Sequence, residues 1–367
     1  LIWPDKAQKT GFGPFFVLRF GCHGQPPGPP PAIMNFRAAL SLLILSGPLL
    51  ATAPGKASAN DAVNRAIRLS LAESFVTANL LTSGDAVRFG FWDFDPNTLL
   101  NLDDDNFGSL ESRELRQRIA TFSLPYTWQT PLAETGNTLS LGVKAAYVEN
   151  KQQTQIINST SRAKDEINSS VTSLSVGGTF SRRLSTHWDL AFSTHAHWMR
   201  YRNDTDFNTA DSQAIAPAVD GLITNFNADA WLLEPSARLT YFIGGEQSEV
   251  QLFSDIHYMA GHTFHTDRAA HDVAPEAWHW SNGARWKHPF VTRILPGQNV
   301  WMQASRFDLG GDLEGSLGNH YYYEAGVGWL LDIHERIPFI DNIGIGINLN
   351  YGSLLRGGTL VLLFNET

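Results

Sequence analysis

The feature that most constrains the fold is a strict alternation of apolar and polar residues over unusually long stretches. Residues 187–203 read HWDLAFSTHAHWMRYRN. One side of this stretch, if extended, carries Trp188, Leu190, Phe192, Thr194, Ala196 and Trp198, and the other carries His187, Asp189, Ser193, His195 and His197. A period of two is the period of a β-strand, so the question is which environment each face meets.

The same pattern recurs about a dozen times after Gly84, and it leaves little room for helices there. The candidate strands lie near 86–95, 114–129, 138–149, 170–182, 186–201, 226–243, 248–260, 276–288, 299–309, 320–332, 342–352 and 357–364. A soluble β-sandwich also alternates in this way, so alternation alone leaves two fold classes open.

Strand length and the placement of aromatic residues separate these two classes. The stretches run to about ten residues or more, whereas strands in soluble sheets usually have about five or six. Aromatic residues stand at the ends of the apolar faces, as Trp188 and Trp198 do. At about 3.3 Å per residue and a tilt of roughly 45°, these two indoles are about 23 Å apart along the bilayer normal, close to the apolar band of about 25 Å in outer-membrane barrels. We therefore expect lipid on the tryptophan face and a polar lumen on the histidine face.

The connections between the strands favour the same fold. Long segments such as NKQQTQIINSTSRAKDEINSS mostly alternate with short ones such as RLST and GGEQ. Transmembrane barrels have short periplasmic turns, long outer loops and an even strand number. The sequence predicts an all-β, antiparallel up-and-down transmembrane barrel of about twelve strands at 85–367, with ten or fourteen strands as alternatives.

The N-terminal region has the pattern of an export signal. From Met34 a single positive charge, Arg37, precedes an apolar run that ends at Ala57-Ser58-Ala59, which predicts a secretory signal peptide at 34–59. A buried core helix is the alternative interpretation. Residues 1–33, which contain the only cysteine, Cys22, look like a mis-assigned upstream extension.

Charge argues against a nucleic-acid partner. The chain has a formal charge of -9, with 27 basic and 36 acidic residues. Without residues 1–59 the balance is 22 basic to 35 acidic residues, or -13, because Lys6, Lys9, Arg19, Arg37, Lys56 and Asp5 leave with them. Such a surface repels the phosphate backbone of nucleic acids.

Residues 60–84, NDAVNRAIRLSLAESFVTANLLTSG, precede the first strand. They place Val63, Ile67, Leu71, Phe75 and Ala78 along one helical face. A strand with Ile67, Leu69 and Leu71 on one face is the alternative. We expect a short helix, with the barrel lumen as a place for it.

A signal peptide, one helical segment and about twelve amphipathic strands together resemble the translocator barrels of bacterial autotransporters, in particular the solitary type that carries no passenger. The resemblance covers residues 60–367 and implies an outer-membrane location, a helix in the pore and insertion by the outer-membrane assembly machinery. That machinery typically reads an aromatic residue at the end of the last strand, whereas here Asn365, Glu366 and Thr367 follow Phe364. The other expected partners are outer-membrane lipid and lipopolysaccharide, with no passenger, nucleic acid or cofactor.

One motif raises the possibility of catalysis. HWSNGARW, residues 279–286, is similar to the His-x-Ser-Asn-Gly motif of outer-membrane phospholipase A, in which a histidine activates a serine that cleaves acyl esters. Here Trp278 and Trp280 take the expected lipid face, so His279 and Ser281 should face the lumen, away from phospholipid. A hydrogen-bonding pair in the lumen is the alternative to catalysis.

Two patterns resemble metal sites. The stretch DDDNFGSLESRE, 103–114, matches a calcium loop at Asp103, Asp105 and Glu114, but Phe107 occupies a ligand position and the flanks read as strands. Five histidines crowd one predicted hairpin without zinc spacing, namely His257, His262, His265, His271 and His279. We expect an acidic outer loop and hydrated histidines instead of metal sites.

The leading hypothesis is a non-enzymatic outer-membrane barrel with a structural or pore role. The alternatives are a lipid hydrolase that uses Ser281 and His279, and a passive porin-like channel that mildly prefers cations.

Overall fold

A computed structural model of the chain describes residues 55–83, 92–101, 104–132, 136–154, 156, 163–245, 248–266, 268–289, 297–334 and 342–364. The predicted extension 1–33 and all but the last five residues of the predicted signal peptide lie outside these ranges. Asp103, the first residue of the calcium-like stretch, and the C-terminal residues 365–367 lie outside them as well.

The described chain contains twelve strands and five α-helices. The strands are β1 Trp92–Phe94, β2 Ile119–Leu132, β3 Asn137–Thr154, β4 Asp165–Arg183, β5 Trp188–Asp206, β6 Phe226–Gly245, β7 Ser248–Phe264, β8 Glu276–Pro289, β9 Gln298–Gly311, β10 Tyr321–Asp332, β11 Asn342–Tyr351 and β12 Gly357–Phe364. The helices are α1 Gly55–Leu81, α2 Pro96–Leu100, α3 Leu110–Arg118, α4 Ala210–Val219 and α5 Leu313–Leu317.

All twelve strands form one antiparallel sheet in the order β1-β12-β11-β10-β9-β8-β7-β6-β5-β4-β3-β2. Consecutive strands from β2 to β12 therefore pair with one another, and the first strand pairs with the last, Trp92 opposite Leu360. This confirms the predicted twelve-stranded up-and-down topology. The described sheet is not closed: β1 and β2 form its two edges, and the predicted first strand is described only from Trp92.

The second strand begins at Ile119, later than the predicted start near 114, because a helix occupies the preceding residues. Ser109 and Ser112 form a reciprocal capping box that starts α3, which continues to Arg118. The flanks of the acidic stretch, read from sequence as strands, are therefore helical on the C-terminal side. Short α2 lies on the N-terminal side.

The two faces of the sheet meet different environments, as the alternation predicts. In β5, Trp198 is 37% exposed whereas its neighbours His197 and Met199 are 3% and 0% exposed. The outward face is apolar along the whole sheet; its exposed side chains include Leu124, Trp128, Leu141, Val176, Phe192, Trp231, Leu233, Ile256, Trp280, Val327 and Ile345. The indoles are not packed between two sheets, so the β-sandwich alternative is wrong.

The two ends of the sheet also differ. Short connections such as 184–187 gather at one end, here called the turn end. The connections that contain α2, α3, α4 and α5 lie at the opposite end, here called the loop end. Among the described residues, no helix combines the length and the apolar character that crossing a bilayer requires.

Helix α1 packs against the inner side of the sheet, against β3, β4, β5 and β8 and against α5. All five residues of its predicted apolar face, Val63, Ile67, Leu71, Phe75 and Ala78, are buried. The helix prediction is thus confirmed and the alternative strand is wrong. The helix starts at Gly55, five residues before the predicted start at 60.

Candidate functional site

The apolar face of α1 fills the space inside the sheet. Phe75 is completely buried and meets the ring of Tyr201 edge-on, with 6.4 Å between the ring centroids. The buried cluster around it joins α1 to the strands and the loop-end helices; it includes Leu71, Val76, Leu80, Met199, Leu232, Met259, Phe307, Tyr322, Leu313 and Leu317. Burying a side chain of this size is worth about 1.5–3 kcal/mol, so the cluster is a strong anchor for the helix.

The N-terminal half of α1 is held by the outer connections at the loop end. Val63 and Ile67 pack in a second buried cluster whose other members are Ile156, Ile167, Val219, Ile223 and Ala270. The Arg68 guanidinium donates two hydrogen bonds, of 3.1 and 2.7 Å, to the carbonyl oxygen of Ala269. The helix therefore runs from the loop end inwards.

The C-terminal half of α1 is tied to the wall by polar contacts. Asn79 is 1% exposed, and its side-chain Nδ2 donates to Glu234 Oε2 on β6 at 2.7 Å. Lys144 Nζ on β3 donates to the carbonyl oxygen of Thr82 at 3.1 Å, which places a cation at the helix C-terminus, where the macrodipole favours it.

Glu234 is the centre of a buried ionisable network on the inner face. Its Oε1 lies 2.7 Å from Nδ1 of His257, and its Oε2 lies 2.9 Å from Nε2 of His197. His257 continues the network through Nε2 to Asp255 Oδ1 at 3.1 Å, and Asp255 faces Arg238 at 3.5 Å. A buried charge is tolerated only when it is paired and hydrogen-bonded, as this carboxylate is.

Another carboxylate, that of Glu73 on α1, lies near the loop end, outside the membrane-spanning strands. Burial, with a smaller contribution from the charge of Asp312, raises the pKa of Glu73 to about 7. Burial also raises the pKa of Asp312. The Glu73 carboxylate lies so close to Gly315 of α5 that a Cβ at that position would clash with it. This contact couples the helix to an outer loop through a titratable group.

A cavity lined by described residues lies beside α1. Its volume is about 240 Å³, and residues of α1, β2, β3, β4 and β5 line it. Hydroxyl groups of Ser70, Ser74 and Thr77 line its helix side. At the turn end a third buried apolar cluster, Trp301, Leu330, Val361 and Leu363, lies on the inner face of β9, β10 and β12.

The structure places the serine–histidine pair on the inner face. His279 and Ser281 are 1% and 3% exposed, whereas Trp278 and Trp280 point outward. The ring of His279 stacks on that of His257, with 4.4 Å between centroids, and Ser281 lies opposite Asp255 in the strand register. The predicted lumen orientation holds, and both residues adjoin the Glu234 network.

The calcium-like stretch is only partly described. Glu114 lies within α3 and pairs with Arg118 at 3.4 Å, one helical turn away. Asp104, which the pattern did not single out, accepts a hydrogen bond from the backbone N–H of Asn106 at 2.9 Å. Within the described ranges, no three His, Cys, Asp or Glu side chains gather as a metal site would require, the hairpin histidines included.

Sequence reasoning did not find the Asn79–Glu234 contact. The available signal was a carboxylate in an otherwise apolar stretch, AWLLEPSARL, at an inward position of its strand. His197, two residues after His195 on the same face, was the other visible component. The meeting of His197 and Asn79 of α1 on one carboxylate, that of Glu234, required the three-dimensional structure.

Comparisons with known proteins identify the architecture. The family described as the solitary outer membrane autotransporter β-barrel domain matches residues 72–366. No curated protein matches the sequence.

Two solved structures are similar in fold. The transport unit of the autotransporter AIDA-I from Escherichia coli shares 11% identity and a TM-score of 0.43, over 68% of this chain and 85% of that one. The β domain of the Bordetella autotransporter BrkA shares 10% identity and a TM-score of 0.34, over 67% of this chain and 96% of that one.

Proposed function

Because the chain belongs to the solitary outer membrane autotransporter β-barrel family and lies in the bacterial outer membrane, we propose that it is a non-enzymatic barrel whose lumen is closed by α1. The observation that carries the proposal is the anchoring of the helix at three levels. Outer connections bury Val63, the wall buries Phe75, and Glu234 holds Asn79.

The two alternatives receive less support. An open channel needs a continuous wet path, whereas α1 lies inside the sheet and the inner face near the turn end carries the apolar cluster around Trp301. A lipid hydrolase needs its serine to reach an ester in the bilayer, but Ser281 and His279 lie on the inner face, away from lipid. A loss of lipase activity in Ser281→Ala would still be the result that favours a hydrolase.

The partners proposed for this barrel follow from its location. Outward apolar side chains contact lipid, and the residues just beyond the outer aromatic belt contact lipopolysaccharide. The assembly machinery reads the last strand, which ends at Phe364.

Planar-bilayer conductance tests the plug. We expect low conductance for the wild type and a higher conductance when residues 60–84 are deleted. Phe75→Arg gives a second test that keeps the chain length, because it places a charge in the buried cluster. Leu69→Arg is the matched control, since Leu69 lies on the same helix and is 46% exposed. Heat-modifiable gel migration shows that each variant forms a barrel.

Equal conductance of the wild type, the deletion and Phe75→Arg, all heat-modifiable, would refute the plug. High conductance of the wild type itself would favour the channel.

A further inference from the structure

A polar cavity opens at the loop end of β5 and β6, outside the lumen network. It has a volume of about 440 Å³ and lies where β7 separates from β6, beyond their last pair, Asp229–Phe264. Its lining combines two guanidinium groups, two imidazoles and two side-chain amides, from Arg200, Arg268, His265, His271, Asn225 and Asn227, with one carboxylate, from Asp229.

The cavity lies at a defined depth relative to the bilayer. Trp198 and Trp231 are directly opposite each other on the outward face, and Arg200 and Asp229 are the opposed pair two residues further on. At about 3.3 Å per residue, the arginine pair is about 7 Å along the strand beyond the tryptophan pair. Because aromatic belts mark the edge of the hydrocarbon, the cavity is at the headgroup level of the outer leaflet.

The charged groups can accept an additional anion. Arg200 binds Asp229 through Nε and Nη2 at 2.7 and 2.8 Å, an arrangement that leaves its Nη1 for another acceptor. Arg268 supplies a second guanidinium, which lies against Gly221 across the cavity. A planar guanidinium donates paired hydrogen bonds that match phosphate oxygens, and amides suit sugar hydroxyls.

We propose that this cavity binds a phosphorylated sugar headgroup of outer-leaflet lipopolysaccharide. The acyl chains lie below it along the exposed apolar surface of Trp231 and Leu233, which continues down the same strand. The proposal rests on the lipid contact included in the proposed function and names its site, but it does not depend on the plug.

The test measures binding of lipid A to the purified full-length protein in detergent. The probes are bis-phosphorylated lipid A, its dephosphorylated form, and inorganic phosphate as a competitor. We expect phosphorylated lipid A to bind the wild type, and Arg268→Ala and Arg200→Ala each to weaken binding about tenfold or more, as the loss of charge-assisted hydrogen bonds would. Arg306→Ala is the matched control, because Arg306 pairs outward with Asp308 and lies 4.5 Å over the Tyr321 ring, away from this cavity.

Each other outcome overturns the proposal in a distinct way. If Arg306→Ala weakens lipid A binding equally, lipid contact is a general property of charged residues near the loop end and not of this cavity. Equal binding of dephosphorylated lipid A removes phosphate as the recognised group. Displacement of the lipid by millimolar inorganic phosphate makes the cavity a site for free anions. The conductance comparison of the wild type with the 60–84 deletion tests the plug separately, so a failure of lipid A binding is distinguishable from a failure of the plug.

Discussion

Asn79→Asp is the substitution that most directly tests how the helix is held. It places a carboxylate where an amide now donates to Glu234 Oε2 at 2.7 Å, in a contact whose partners are 1% and 5% exposed. Two unit charges about 3 Å apart at an effective dielectric constant of about 20 repel by about 5–6 kcal/mol. The new carboxyl group can instead take up a proton, which costs about 4 kcal/mol at pH 7 for an ordinary pKa of about 3.9.

Proton uptake costs less free energy than charge repulsion, so proton uptake sets the size of the effect. Helix docking should weaken by about 4 kcal/mol at pH 7, roughly a thousandfold in the docking equilibrium. The penalty depends on pH because proton uptake is needed only when the undocked carboxyl is ionised. It should grow by about 1.4 kcal/mol per pH unit above pH 4 and disappear below that pH.

The assay is planar-bilayer conductance of the wild type and Asn79→Asp between pH 4 and pH 8, with heat-modifiable migration as the folding control. Asn79→Ala is the comparison variant: it loses a hydrogen bond to a charged group, worth about 1.5–3 kcal/mol, without adding a carboxyl of its own. We expect Asn79→Asp to be closed at pH 4 and to open as the pH rises. The reasoning is wrong if Asn79→Asp stays closed at pH 8, or if it conducts equally at every pH.

Three further predictions concern the loop end, the lipid face and the sheet edge. The raised pKa of Glu73, about 7, means that the docked helix binds a proton more tightly than the free one, so docking weakens as the pH rises from about 4.5 through 7. Glu73→Gln should remove this trend and raise the free energy of unfolding by at most about 3 kcal/mol at pH 8. The measurement is the pH dependence of urea unfolding. Phe192→Arg, between the two tryptophans of β5, should lower the free energy of unfolding by about 2–4 kcal/mol, measured in vesicles. Arg116 is 2% exposed and donates to Asp93, Thr359 and the carbonyl of Leu355. The Asp93 side chain is 11% exposed and keeps a hydrogen bond from Thr359, so Arg116→Ala should remove the cation of this carboxylate and lower the free energy of unfolding by at most about 3–5 kcal/mol. The heat-modifiable migration shift should then occur at a lower temperature.

Each of these has a control and a contradicting result. Glu111→Gln is exposed on α3 and should not change the pH trend; a trend that persists in Glu73→Gln assigns it to another group. Asp204→Arg lies outward beyond the tryptophan belt and should cost much less than Phe192→Arg, and equal costs would argue against a lipid-facing position. Arg118→Ala, exposed on the same helix as Arg116, should leave the migration unchanged.

Much of the fold could be predicted from the sequence, because the strand alternation and the helical repeat are both local patterns. The alternation in β5 fixed which side chains share a face, and the burial of His197 beside exposed Trp198 follows that parity. The period of α1 likewise predicted the burial of Val63 and Phe75. The start of β2 could not be predicted in this way. The capping box at Ser109 starts α3, and this helix continues to Arg118 through residues that also alternate.

The candidate sites were less predictable, for a reason that applies to both. Asn79 and Glu234 are 155 residues apart, and Arg200 lies in strand β5 whereas Arg268 lies in the connection between β7 and β8. Whether such residues meet depends on strand register, on which strands become neighbours and on how deep the helix lies. None of these quantities is encoded within a single segment.

The sequence alone therefore determined the strands, their inward and outward faces and the buried face of the helix, since each depends on the repeat of the backbone conformation. Only the tertiary structure decided that a carboxylate in β6 holds the amide of Asn79, and that two arginines line one cavity above a tryptophan pair. The physical reason is that a side chain's face is set by its immediate neighbours in the chain, whereas its partner is set by the packing of the whole sheet around α1.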